Sequence, residues 1–386
     1  MLKRIRISNF KSLENVDVEL APLTVLFGPN GSGKSNFLDA IQTLSRLGTC
    51  RTVSEAMETP VRGYPIEAFG FPEEGLPGLF SREYAAFSLE TDLQVEKNAY
   101  RYSIQIRIQP DSGNLGVTKE YLALLKKTGE AQGKPSIEVV DDQIRIRRKS
   151  KPAKPRQEPL GLNFAILSDL RLRGTEYRHI ERCRNEFFAW KTYYLDPRVA
   201  MRTATPPKEV NDIGGLGEAI APYLFRLKSE KPQHFEGLRR TLRSIVPSVE
   251  SVGIDLDKKR GILDIAIRQY GREFSARILS EGTLRVLALC AIAVNPWGGS
   301  LIAFEEPENG VHPQRLELIA EMLSSLAIHQ GRQVVVTTHS PLLCQAVLQK
   351  ARSHPEKVAL MKVSRERNGT KIEPLGQESF SNPRGH

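Results

Sequence analysis

The short apolar run LTVLF, positions 23 to 27, leads without a break into GPNGSGKS at positions 28 to 35. Phe37, Leu38, Ile41, Leu44 and Leu47 then fall on one helical stripe. A strand with apolar residues on both of its faces has none left for water, so it belongs in a sheet covered by helices on both sides. The loop after it matches G-x-x-x-x-G-K-[ST], a spacing whose glycines let backbone N–H groups wrap a chain of phosphates. Lys34 reaches the terminal phosphates and Ser35 offers its hydroxyl to a magnesium ion. Asn30, Gly31, Ser32, Gly33, Lys34, Ser35 and Asn36 are therefore the candidates for holding a nucleotide at the start of a helix.

Two further runs share this layout. SLIAF (300 to 304) ends in EEPENG and QVVVTT (333 to 338) ends in HSP. Open α/β sheets bind ligands at that carboxyl edge. Leu316, Ile319, Met322, Leu323 and Leu326 form a second helical stripe between the two runs, which continues the βα alternation. Glu305 and Glu306 share a pocket only if the strand ends and bends between them, because neighbours on a strand point to opposite faces. Pro307 stops the ladder at that point. Upstream, LSEGT (279 to 283) precedes RVLALCAIAV, a helix apolar nearly all round and hence buried. Ser280 is its N-cap candidate, Gly282 permits another backbone to approach, and the helix start presents partial positive charge to an anion.

Elsewhere IRISNF and VDVEL alternate as strands of an antiparallel layer, and the strand-like pattern returns from about 85 to 150. KSKPAKPRQEP (149 to 159) reads as an exposed, partly extended loop. From about 160 to 245 the periodicity is helical, strands resume in SVESVGIDL and ILDIAIRQY, and LMKVSRERNGTKIEPL reads as a hairpin turning at Asn368 and Gly369. The sequence shows no internal repeat and no sustained heptad pattern.

Charge adds a second constraint. Fifty-five Lys and Arg against 45 Asp and Glu give a net charge of +10, which favours a polyanionic partner such as DNA. Arg145, Arg147, Arg148, Lys149, Lys151, Lys154 and Arg156 carry no acid among them until Glu158, as a segment that releases counterions from a DNA backbone would. The competing reading is a solvated loop. Arg171, Arg173, Arg178, Arg182 and Arg184 follow, with Asp169, Glu176, Glu181 and Glu186 as nearby acids for pairing. Cys50, Cys183, Cys290 and Cys344 have no zinc-site or disulfide spacing, and no leader or apolar run of membrane length is visible. A cytoplasmic protein without membrane contact of its own is expected.

The order of these segments resembles the ABC-type ATPase heads of the RecF, SMC and OLD-nuclease group. ISNFKSLENVDVEL followed by LTVLFGPNGSGKSNFLDAI resembles their N-terminal strand pair and phosphate loop. LSEGT resembles their signature, LIAFEEPENGVHP their magnesium strand and following loop, and VVVTTHS their switch-histidine strand. EEPENGVHP with THSPLL, and YYLDPR upstream, is more closely similar to the compact bacterial subgroup known as AAA ATPase domain 21, OLD-like, several members of which act in phage defence beside a nuclease. The resemblance implies an α/β P-loop NTPase head with a mixed central sheet, an antiparallel β layer and an inserted helical lobe. The head would be discontinuous, 1–150 and 245–386, around a lobe at 151–244.

By position, the resemblance gives Glu306 the attacking water, His339 and Lys34 the γ-phosphate, and Glu305 with Ser35 the Mg2+ of bound ATP. Ser280, Glu281 and Gly282 would meet the nucleotide held by a second copy, in a face-to-face homodimer. Lys11, in NFKSL, would reach the nucleotide as a basic residue does in relatives. Glu305 stands where most heads carry aspartate, and His312 where many carry the aspartate of the next loop, which points to slow hydrolysis. Gln105, Gln109 and Gln157 are the candidates for the glutamine that links magnesium to the middle lobe. The expectation is an ATP- and Mg2+-dependent ATPase that engages DNA and controls a separate effector, a nuclease, in antiphage defence. The 47 residues after His339 are fewer than an independent nuclease domain of about 50 or more needs. The rival readings are a nucleotide-binding subunit of a membrane transporter, against which ISNFKSLENV and EEPENGVHP argue, and a scaffold that binds ATP with negligible turnover.

Overall fold

Alternation in the first twenty residues produces an antiparallel strand pair, β1 (Leu2–Phe10) and β2 (Leu13–Glu19), with Ile5 opposite Val18 and Ile7 opposite Val16. Leu2, Ile5, Ile7 and Phe10 point inward, while Arg4 on the other face donates to Asp17 at 2.6 Å. A computed structural model describes residues 1–58, 62–148, 154–350 and 352–376. They divide into two compact units, Met1–Trp190 with Ala359–Gly376, and Lys191–Val358. No helix among the described residues is long and apolar enough to cross a membrane.

In the first unit β3 (Leu23–Phe27) is buried on both faces, as its composition requires, and leads through the glycine loop into α1 (Lys34–Leu47). The short helices α2 (Val53–Met57) and α3 (Leu76–Phe80) follow. Then come β4 (Ala85–Val95), β5 (Asn98–Gln109), β6 (Asn114–Leu125), β7 (Ile137–Val140), β8 (Gln143–Ile146) and β9 (Arg156–Pro159). With β1 and β2 they form one antiparallel sheet in the order β2-β1-β4-β5-β6-β7-β8-β9. Strict alternation along β4, with Phe87, Leu89, Leu93 and Val95 inside, fixes which face is covered, because a slip of one residue would expose them all. β9 corrects the loop expected at 149–159. Its last four residues pair with β8, Arg145 opposite Gln157, and Pro159 ends an edge strand where its missing N–H costs no ladder bond. Residues 149–153 lie outside those described.

α4 (Arg178–Phe188) confirms part of the helical stretch, and Ser45 of α1 donates to the carbonyl of Phe187 at 2.6 Å. The stretch is not helical throughout, since β10 (Trp190–Tyr193) interrupts it before α5 (Ile220–Glu230) and α6 (Pro232–Ile245). In the second unit, β11 (Val249–Asp257), β12 (Ile262–Gln269) and β13 (Arg272–Ser275) form a small antiparallel sheet. α7 (Glu281–Ala293) buries ten of its 13 residues, as expected of a helix apolar nearly all round. β14 (Leu301–Glu305), α8 (Leu316–Ile328), β15 (Gln333–Thr338) and α9 (Pro341–Lys350) supply the βα alternation. β14 and β15 are parallel, Glu305 opposite Thr337, so both strands deliver their polar ends to one edge.

The closing hairpin returns to the first unit as β16 (Val358–Glu366) and β17 (Gly369–Pro374), in the strand order β3-β16-β17. Its turn falls one residue earlier than the sequence suggests, on Arg367 and Asn368, with Gly369 already paired to Glu366. Gly369 has φ 102°, and a Cβ there would meet the carbonyl oxygen of Ser12 at 2.7 Å, so close approach as well as the turn selects glycine. The chain is α/β, with a mixed set of buried strands and a separate antiparallel layer, as the sequence predicts.

Candidate functional site

In the first unit the phosphate loop is shaped by what passes next to it. A Cβ on Gly28 would lie 2.2 Å from the carbonyl oxygen of Val363, and one on Gly33 would lie 2.1 Å from Thr370 Oγ1. Gly31 and Gly33 have φ of 77° and 101°, a conformation that side chains other than glycine rarely adopt. Lys34, 4% exposed, extends along the loop and donates to the carbonyls of Gly28 at 2.8 Å and Pro29 at 3.0 Å. Ser32 is buried, and its hydroxyl has no hydrogen-bond partner. An orphan donor beside a glycine cradle and a lysine fits a bound anion. Asn30 and Gly31 are exposed at the tip, and Ser35 is half-buried at the helix start.

A small polar network holds the loop from the side. Thr370 Oγ1 donates to the carbonyl of Ser32 at 3.0 Å and lies 2.7 Å from Ser12 Oγ, while Asn36 Nδ2 donates to that same Ser12 hydroxyl at 2.8 Å. Asn36 thus braces the loop through Ser12. Sequence reasoning missed Ser12 and Thr370, whose contact spans 358 positions of the chain. Lys11, at φ 51°, turns its ammonium to Asp39 Oδ2 at 2.6 Å and to the Arg62 carbonyl at 2.8 Å. Asp39 is fully buried and also receives Arg62 at 3.2 Å, so a cationic pair neutralises an acid inside α1. A cavity of about 540 Å3 lies alongside, lined among others by Lys11, Ser12, Gly31, Asn36, Asp39 and Arg62.

In the second unit the strand does bend at the acids. Glu306 has φ 43°, and its N–H donates to the carbonyl of Thr337 at 3.0 Å, so the turn begins at Glu306 itself rather than at Pro307. Asn309 Nδ2 donates to Glu306 Oε2 at 2.8 Å, and His339 Nδ1 lies 3.2 Å from Glu306 Oε1. The two residues assigned to hydrolysis by position are therefore in contact. A third acid, Glu308, is 6% exposed and accepts from the Thr338 hydroxyl; burial pushes its carboxyl above the usual range. Nothing in EEPEN told which acid would be covered. His312 is exposed, and its Nδ1 accepts from the N–H of Gln314 at 3.4 Å, capping a turn of 3-10 helix at Pro313–Arg315.

Ser280 caps α7 as expected, its hydroxyl accepting from the N–H of Thr283 at 3.2 Å. A Cβ on Gly282 would lie 2.0 Å from the carbonyl oxygen of Gly310, which brings the signature and the loop after the acids into backbone contact. Glu281 is exposed and pairs with Arg198 at 2.9 Å. Arg285, one turn into α7, is half-buried; burial pulls its guanidinium down while Glu281, Glu308, Glu305 and Glu306 push it back up. Arg202 donates to the carbonyls of Arg277 at 2.5 Å and Leu279 at 2.7 Å, gripping the turn before the signature. All three arginines were missed, although Arg198 and Arg202 lie in and just after the YYLDPR segment noted for its resemblance. Arg198, Arg285, Asp196, Glu281 and Asn309 line a second cavity of about 350 Å3.

The basic segment looks different in three dimensions. Arg145 meets Asp141 at 2.6 Å, Arg147 meets Glu138, Arg148 lies 3.5 Å from Glu176, and Arg156 lies 2.5 Å from Glu158. Lys154 is exposed, and Lys149 and Lys151 fall outside the described residues. Arg171 pairs with Asp169 at 2.8 Å, whereas Arg182 reaches Glu96 at 2.7 Å instead of an acid on its own helix. Among the glutamines, Gln105 bonds Ser88 and Thr118 within the antiparallel sheet, Gln109 is exposed at the end of β5, and Gln157 lies in β9. Among the described residues no three His, Cys, Asp or Glu side chains gather as a metal site.

A protein-family model described as "AAA domain, putative AbiEii toxin, Type IV TA system" matches residues 23–345. An OLD nuclease of Thermus scotoductus is 54% identical over 41 residues, 11% of this chain and 8% of that protein. A DNA replication and repair protein RecF of Bacteroides thetaiotaomicron is 33% identical over 109 residues, 27% of this chain and 28% of that protein. The matched stretch is thus at most 28% of either relative's length. A solved SMC head bound to the C-winged helix domain of ScpA superposes with a TM-score of 0.55 at 15% identity, covering 98% of this chain and 99% of that one, which speaks for the fold. The chain belongs to this AAA domain family, shares its fold with the SMC head, and is similar over short stretches to OLD and RecF proteins.

Proposed function

We propose that the chain binds ATP at Gly28–Ser35 and hydrolyses it with Glu306. The observation that carries the reading is the contact of Glu306 with both Asn309 and His339, which aims one carboxylate at the polar edge of β14 and β15. A carboxylate held from two sides is suited to orienting a water for in-line attack, since phosphoryl transfer asks the protein for positioning and charge neutralisation. Lys34 supplies positive charge to the terminal phosphates and His339 contacts the γ-phosphate. Ser35 and Glu305 are the hard oxygen donors that would hold magnesium, which when bound neutralises charge on the phosphate oxygens. The cavity beside the loop, with the Lys11 and Arg62 pair on its wall, is where the nucleoside would lie.

Ser280, Glu281 and Gly282 at the start of α7 serve the nucleotide of a second copy, so that turnover and face-to-face dimerisation are one cycle. We read residues 151–244 as a lobe inserted into that head. DNA engagement is supported by the +10 charge and by relatives named as a DNA replication and repair protein and as a nuclease; a separate nuclease effector, antiphage defence and a cytoplasmic location rest on the family resemblance. Slow turnover is supported by Glu305 and His312 in place of aspartates. Calorimetry tests the first step. Lys34→Ala abolishes ATP binding in this account, and an unchanged ATP affinity would remove Gly28–Ser35 from its role.

A further inference from the structure

We infer that Glu308 is a positioning residue for hydrolysis, whose buried bond to Thr338 locks the loop Glu306–Asn309 onto the end of β15 and so fixes Glu306 against His339. The inference rests on the hydrolytic reading of Glu306. Three successive residues of the β15 end meet this loop. Thr337 accepts the Glu306 N–H through its carbonyl at 3.0 Å and its hydroxyl at 3.2 Å, the Thr338 hydroxyl donates to Glu308, and His339 reaches the Glu306 carboxylate at 3.2 Å.

These bonds are not equal. The Glu306 and His339 side chains are 20% and 45% exposed, and even a charged contact that wet contributes about 1 kcal/mol or less. Glu306 is also held at φ 43°, a left-handed conformation that costs a non-glycine residue about 1 kcal/mol or more unless its surroundings impose it. Glu308 at 6% exposure and Thr338 at 0% form the desolvated contact, where a hydrogen bond is electrostatically stronger and losing one partner strands the other. The Thr338 hydroxyl also accepts the Ser340 N–H at 2.9 Å, and Ser340 Oγ accepts the Leu343 N–H at 3.3 Å, so the same link runs on into the first turn of α9.

The second Glu308 oxygen is buried with no hydrogen-bond partner, and Thr338 needs only one acceptor. An uncharged side chain of the same shape therefore keeps the bond. The lock also explains why an acid outside the positions assigned to water and magnesium is kept from solvent two residues past Glu306.

Steady-state ATPase kinetics and ATP calorimetry on the full chain test this with four variants. Glu308→Ala is expected to lower kcat by about tenfold to a hundredfold, the scale of a misplaced reacting group, with ATP affinity and KM unchanged. Glu308→Gln restores kcat relative to Glu308→Ala. Thr338→Val lowers kcat like Glu308→Ala, and the double variant is no worse than the worse single one, since one bond is lost once. Wild-type kcat in Glu308→Ala, equal losses in Glu308→Gln and Glu308→Ala, or an additive double variant would each overturn the inference. If Glu308→Ala does not fold, Thr338→Val alone decides, and wild-type kcat there overturns it. Glu306→Gln, run in parallel, separates the two levels: wild-type turnover in it sinks the hydrolytic reading, whereas its loss beside an unaffected Glu308→Ala sinks only the lock.

Discussion

Gly282 and Gly310 touch through their backbones: the Cβ that Gly282 lacks would sit 2.0 Å from the Gly310 carbonyl oxygen, and Gly310 itself turns at φ 74°. The signature and the loop after the acids are therefore packed backbone against backbone. Gly282→Ala must push that loop away, at a cost of about 1–3 kcal/mol in unfolding experiments. ATP binding at Gly28–Ser35 should survive while phosphate release falls. Unaltered stability and turnover together would show that the contact carries no constraint.

Glu120 predicts a pH dependence of stability. It is buried on β6 and accepts the N–H groups of Ile166 at 2.7 Å and Leu167 at 2.8 Å and the Tyr102 hydroxyl at 3.1 Å. Burial outweighs these bonds and pushes its pKa from 4.5 up to about 7. Between those values the folded chain keeps a proton that the unfolded chain has released, so stability falls as pH rises from 4.5 to about 7 and levels off above it. The slope is at most about 1.4 kcal/mol per pH unit. Denaturant midpoints at pH 5.5 and 8 should differ in this sense for the wild type and converge for Glu120→Gln. An equal difference in that variant would assign the effect to other groups.

The basic segment makes a salt-dependent prediction. Neutralising Arg145, Arg148, Lys154 and Arg156 lowers DNA affinity and flattens its dependence on salt by about one unit per lost phosphate contact. If neither changes, the arginines serve Asp141, Glu176 and Glu158 instead, and their removal shows only in stability.

What the sequence revealed and what it hid have physical causes. β3, β14 and β15 were legible because a strand covered on both faces is built mostly of apolar residues without a polar alternation, and the loop at Gly28–Ser35 because glycine and lysine at fixed spacing have few other uses. The bend at the acids was expected, but not its start at Glu306 or the covering of Glu308, since five residues of EEPEN give no period from which to read a buried face. Ser12 and Thr370 meet only after the chain returns at its far end. The arginine cluster seemed free of acids because reading along the chain ignores pairing across a hairpin; the β7–β8 register sets Glu138 opposite Arg145 and within reach of Arg147.

Hydrolysis in this chain turns on Glu306. Phosphate release from ATP, measured alongside ATP affinity and ATP-dependent dimer formation by light scattering, should show that Glu306→Gln binds ATP as the wild type does, releases phosphate at least about a hundredfold more slowly, and accumulates as a dimer. Phosphate release at the wild-type rate would contradict it.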